Sequence, residues 1–191
     1  MKIFSKLFPA ILLLALASCK PSPQKAMDYY TGITKPIESV LTKEDDLIHV
    51  VNALMSKDSA NAKLLTKEKD TADKKIVLKA LDMAFSNFCL QIATSTNQME
   101  AIGSFDKSSA LKDAAMGLLI AYKSTTENEY PNLIKLVKIP ETEYTNDDDK
   151  KFMDLSDSID NKLQQKISVY IQQVKLFAQE YNFQLEKDSV K

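Results

Sequence analysis

Leu155, Ile159, Leu163, Ile167, Tyr170, Val174, Phe177 and Tyr181 follow one another at steps of three or four residues. That spacing stacks side chains on one face of an α-helix, whereas a strand would need alternation. The stripe lasts about seven turns, and Lys162, Gln165, Lys166, Gln172 and Lys175 fall on the other faces, as a half-buried helix requires. Thr145-Asn-Asp-Asp-Asp149 stands in front of it, offering capping side chains and then acids at the positive end of the helix dipole. As a calcium loop the three aspartates lack the glycine and the closing glutamate.

The rest of the chain follows the same rule. It has 3 glycines, Gly32, Gly103 and Gly117, and the stretches between them carry helical periodicity. A first helix is predicted over about residues 26–57, with Tyr30, Ile33, Ile37, Val40, Leu41, Leu47, Ile48, Val51, Leu54 and Met55 on its core side. Pro36 should bend or split it, with a restart at the capping-box-like Thr42-Lys-Glu-Asp45. After the polar segment 57–62, a second helix over about residues 71–102 carries Val77, Leu81, Ala84, Phe88, Ile92, Met99 and Ile102. Gly103-Ser-Phe-Asp106 breaks the pattern, and Asp106 is placed to cap a third helix bearing Leu111, Ala115, Leu118, Leu119 and Tyr122. That helix should run to about Val137, disturbed at Pro131 and ended before Pro140. Four amphipathic helices of about 30 residues, each about 45 Å long, predict an all-α, elongated, antiparallel four-helix bundle, up-down-up-down, as one domain over residues 26–191. A pair of helical hairpins with a groove between them is the alternative, and no internal repeat suggests a solenoid.

The amino terminus is of another kind. Lys2 and Lys6 form a basic start, and an apolar run from Leu7 to Leu16, interrupted by Pro9, is shorter than the about 20 residues of a membrane span. Residues 1–18 therefore read as a signal peptide. Leu16-Ala17-Ser18-Cys19 resembles the bacterial lipobox, in which a prolipoprotein peptidase cuts just before a lipid-modified cysteine, here Cys19. Each lipid methylene placed in a bilayer contributes about 0.8 kcal/mol, so two or three chains hold where one barely does. Residues 19–25, with Lys20-Pro-Ser-Pro-Gln24, suit a polar, extended tether. Lys20 stands where inner-membrane retention is typically associated with aspartate, which favours the outer membrane and leaves its periplasmic and cell-surface faces both open.

Composition narrows the function classes. A charged fraction of 27% and a hydrophobic fraction of 45% fit an ordinary folded body. The formal net charge of -1 turns more acidic once Lys2 and Lys6 leave with the leader, and every basic residue is a lysine. Without arginine or a basic cluster, nucleic-acid binding has no electrostatic footprint. With Cys19 lipidated, Cys89 has no partner for a disulfide and reads as a small buried thiol. The lone His49 has Asp46 one turn before it, half of an acid-x-x-His ligand pair whose di-iron sites need two such pairs. No Gly-x-Ser-x-Gly and no phosphate-cradling glycine loop occurs, and Glu127 and Glu129, two apart, should point to different sides of a helix. Met27, Met55, Met83, Met99, Met116 and Met153 lie on or near apolar stripes and read as core filling or an adaptable groove. The chain is therefore expected to have no catalytic residues, no metal and no cofactor.

The lipobox, the opening Tyr29-Tyr30-x-x-Ile33 and the closing Phe177-Ala-Gln-Glu-Tyr-Asn-Phe183 together resemble the small helical surface lipoproteins of spirochaetes and Bacteroidota, including the ErpY-like group. The resemblance implies surface or periplasmic display without an assigned enzymatic activity, and carries over no residue except Cys19. Function is thus expected to be non-enzymatic: a lipid-anchored envelope protein presenting a helical surface to an envelope or surface protein. The alternative is a carrier holding a small apolar ligand between helices, in a pocket lined by methionine and aromatic side chains.

Overall fold

The computed structural model describes residues 21–55, 72–106 and 108–185. The predicted signal peptide, the lipobox residues Leu16, Ala17, Ser18 and Cys19, the Lys20 position and the polar segment 57–62 lie outside the described residues. Within them the chain is all-α. The helices are α1 (Pro23–Met55), α2 (Ala72–Ala101), α3 (Ala110–Asn128), α4 (Tyr130–Val137) and α5 (Asn146–Glu180).

Helix α1 begins inside the predicted tether. Ser22 accepts from the Lys25 amide, and its carbonyl accepts the first helical bond from Ala26. Pro23 takes the first helical position, where its missing N–H costs nothing and its fixed φ suits the turn. Residues 23–25 are therefore helical. Pro36 neither splits the helix nor prompts a restart at Thr42, whose hydroxyl bonds back to the Glu38 carbonyl at 2.9 Å. Instead Pro36 is buried, and its carbonyl accepts the Ser95 hydroxyl of α2 at 2.8 Å.

The third predicted helix is two. Pro131 lacks a donor for the ladder, so the pattern is interrupted at Glu129 and restarts as α4 with proline in the first turn. Asp106 does not cap α3. It sits at φ 45° in a tight turn closed by Phe105–Ser108 backbone pairing, where it accepts the Tyr181 hydroxyl at 3.1 Å. Ser109 precedes α3, and its hydroxyl donates to Asp113 one turn in. Helix α5 starts as the sequence predicts, with a capping box in which Thr145 accepts from the Asp148 amide and Asp148 accepts from the Thr145 amide. It ends in a Schellman motif: Phe183 N–H bonds the Ala178 carbonyl and Asn182 N–H the Gln179 carbonyl, with Asn182 at φ 55°.

The contacts run in opposite orders along successive helices. Pro36 meets Ser95 while Gly32 lies beside Ile102. Phe88 meets Tyr122, and Asp82 pairs with Lys138. Glu129 pairs with Lys162, and Phe105 packs on Phe177. Sequence-neighbouring long helices therefore lie antiparallel, with α3 and α4 together filling the length of one.

The predicted stripes supply the core. Ile159, Leu163, Tyr170, Val174, Phe177 and Tyr181 of the carboxyl-terminal stripe are buried, as are Leu81, Phe88, Ile92 and Met99 of α2 and the whole α3 set. Leu41 and Ile48 do not join them: they lie to one side of the α1 stripe and are partly open to solvent. Among the methionines Met99 is buried, Met27, Met55 and Met116 pack on the core, and Met83 and Met153 are exposed.

Candidate functional site

Three features stand out against this frame: a half-buried carboxylate, a groove, and one helix face. The carboxylate is Glu44, one of whose oxygens accepts the Tyr122 hydroxyl at 2.7 Å and the other the Tyr130 hydroxyl at 2.8 Å. Phe88 meets both tyrosine rings edge-on. Burial pushes the Glu44 carboxyl up, with Asp45 and Asp160 adding to it and the two hydroxyl donors working against it. Both phenols are held well above their ordinary value, first by burial and then by the Glu44 charge. Tyr122 is completely buried and Tyr130 is 4% exposed, so the phenols are spent on joining α1 to α3 and α4. Nothing local in the sequence announces this triad, because its members lie 78 and 86 positions apart.

The groove, about 410 Å³, runs between α2 and α3 past Cys89, Thr96, Asn97, Glu100, Lys123 and Thr126. No methionine or aromatic ring lines it. Cys89, expected to be buried, is half-buried. Burial raises its thiol pKa against a smaller opposing effect of Thr126, which makes it a poor nucleophile.

The remaining sequence candidates stay apart. His49 is exposed, and Asp46 pairs with Lys43 at 2.7 Å. Glu127 reaches Lys123 of its own helix at 3.9 Å while Glu129 pairs with Lys162 of α5, on a different side. Asp148 is used by the α5 cap. Among the described residues no three histidine, cysteine, aspartate or glutamate side chains gather as a metal site. Tyr30 is buried, and half-buried Tyr29 stacks on Phe105 with ring centroids 4.9 Å apart.

The helix face belongs to α2. Its core side holds Leu81, Phe88, Ile92, Ser95 and Met99, all buried. At about 100° per residue, Ile76, Met83 and Leu90 lie on the opposite side, and they are 64%, 55% and 66% exposed. From residue 83 to residue 99 the helix carries no charged side chain, while the sole acid just before that run, Asp82, is paired with Lys138 of α4 at 2.5 Å. The segment Lys75–Ala101 is thereby long and apolar enough to cross a membrane by length and composition. Its buried stripe and its Ser95 bond to α1 nonetheless tie it into the body. The α2 stripe was legible in the sequence, but its second apolar row was not. Spacing by seven beside a stronger three-four row looks like scatter until burial separates the two.

Comparison with protein-family models, with curated proteins and with solved structures returns no match to this chain.

Proposed function

We propose that this protein is a non-enzymatic, lipid-anchored envelope lipoprotein that presents the outer face of α2 to a protein partner. The observation that carries the reading is that face: Ile76, Met83 and Leu90 in a row, exposed, on a helix without charge from residue 83 to residue 99. A chain with 27% charged residues has ample means to cover a helix with charge, and extended apolar surface left open to solvent is a mark of interaction sites. The zones of the amino terminus, ending in Leu16-Ala17-Ser18-Cys19, support an anchor on Cys19, with Lys20 favouring the outer membrane.

The test has two readouts on the full chain in its own membranes. Labelled fatty acid should enter the wild-type protein and not the Cys19→Ala variant. A photoreactive residue placed at position 90 should link to protein, and one placed at exposed, charged Lys150 should not. An unlabelled wild type would remove the anchor, and equal linking from both positions would remove the α2 face.

A further inference from the structure

We infer that the partner of the α2 face is a second copy of this chain, paired antiparallel through α2; this rests on the reading of α2 as a protein-docking face. The face has two rows. Ile76, Met83, Leu90 and Asn97 form one, and Lys79, Ser86, Ala93 and Glu100 the other, three residues on, so together they make the a/d seam of a helix pair. Every one of these residues is exposed; Ile76, Met83 and Leu90 point away from the core stripe, while Ala93, Asn97 and Glu100 turn toward the α3 side and also line the groove.

The middle of the two rows, Met83 and Leu90 against Ser86 and Ala93, fits in the antiparallel sense. With a twofold axis crossing α2 at the level of Phe88, Leu90 of one copy faces Ser86 of the second and Met83 faces Ala93. At these two central pairs large side chains fill the space left by small ones, as close packing needs, while toward the ends Ile76 faces Glu100 and Asn97 faces Lys79. The same register brings Lys79 to within one helical turn, about 4.5 Å along the axis, of Glu100 on the second copy, at both ends of the seam. Among the described residues neither Lys79 nor Glu100 makes an ion pair within its own chain. A parallel pair would instead set Leu90 on Leu90 and Lys79 on Lys79, large on large and like charge on like.

Chemistry also separates this partner from a lipid surface. Interfacial helices ring their apolar side with lysine or arginine and favour tryptophan, whereas this seam is bordered by Asn87 and Thr94, carries Lys79 and Glu100 in balance, and the chain has no tryptophan. A single helix seam buries less than the roughly 1,200 Å² of a standard interface, so the pair is weak in dilute solution and gains when both copies share one membrane. A twofold axis along the membrane normal keeps both amino termini at one height, with α2 lying parallel to the membrane plane.

Cysteine pairs test the register in native membranes, using the full chain with Cys89→Ser and a short bismaleimide linker. Lys79→Cys/Glu100→Cys should give a linked dimer, and either single variant should give none. In the antiparallel register the two copies of position 79 stand about 27 Å apart along the axis, beyond such a linker. Adding Leu90→Glu should abolish the dimer with the helical circular dichroism unchanged. No dimer from the double variant, a dimer from Lys79→Cys alone, or indifference to Leu90→Glu overturns self-pairing. If self-pairing fails while fatty acid still labels Cys19 and position 90 still links to another protein, only this inference falls. If position 90 links to lipid alone, the docking-face reading falls with it.

Discussion

Glu44 shows how a single side chain can be both glue and liability. Its two oxygens satisfy two buried phenols, yet burial raises its pKa, so the folded state holds the Glu44 proton more tightly than the unfolded chain does. The contribution to stability is therefore fully present below the ordinary glutamate range and is lost as pH rises through the raised value. Wild type should lose stability relative to Glu44→Gln between that acid range and neutrality, read from urea midpoints at several pH values. Parallel curves would mean that the carboxyl is not strained by burial. Glu44→Ala should be worse than Glu44→Gln at every pH, because each buried hydroxyl left without an acceptor costs about 1–3 kcal/mol. This site is out of reach of sequence patterns. Spacing places Tyr30 and Tyr122 in the core, where they are, but Thr42-Lys-Glu-Asp45 satisfies a capping pattern locally, so Glu44 reads as part of a helix restart.

At the level of elements, the sequence is most readable where local chemistry and tertiary packing agree. Helix α5 has a full stripe, a capping box and an Asn182 terminator, and its start is the one predicted. Where a local signal competes with a long-range one, the local signal misleads. Asp106 has a capping side chain, but the Tyr181 hydroxyl claims it. Leu41 and Ile48 keep roughly helical spacing with the core residues, yet they sit at the margin of the stripe, where the neighbouring helices leave them open. Because α5 is held at both ends by named hydrogen bonds, its caps are open to test. Thr145→Ala should cost about 1 kcal/mol. Asn182→Gly should be neutral or stabilising, since φ 55° is a conformation that glycine adopts without penalty, whereas Asn182→Val should destabilise through strain at the same position. Thermal unfolding of the three variants would show that order; an Asn182→Val variant as stable as wild type would contradict the Schellman ending.

Across the whole molecule, cohesion is concentrated in two places that the antiparallel order keeps apart. The Glu44 triad with Phe88 joins α1 and α2 to α3 and α4. Near the start of α1, an aromatic cluster draws together segments remote in sequence: Tyr29 of α1, Phe105 of the α2–α3 turn, Phe177 of α5, and Tyr181 and Phe183 just beyond it. Phe177 touches all four of the other rings, with centroids 4.7 to 6.0 Å away. Tilted and edge-on pairs of this kind add about 0.5–1.5 kcal/mol each beyond the area they bury. Phe177→Ala should therefore cost about 3–5 kcal/mol, as truncation of a buried aromatic does, and the cost should be unevenly spread. Amide exchange should quicken most at the first turns of α1, around Phe105 and at the end of α5, and least around Tyr122 and Tyr130, which have their own bonds to Glu44. Phe88→Ala, by the same reasoning, should reverse the pattern. If both variants loosened every helix equally, the body would be one cooperative unit. The end of α1 that leads back toward Cys19 could not then open separately from the rest, as two distinct centres of packing require.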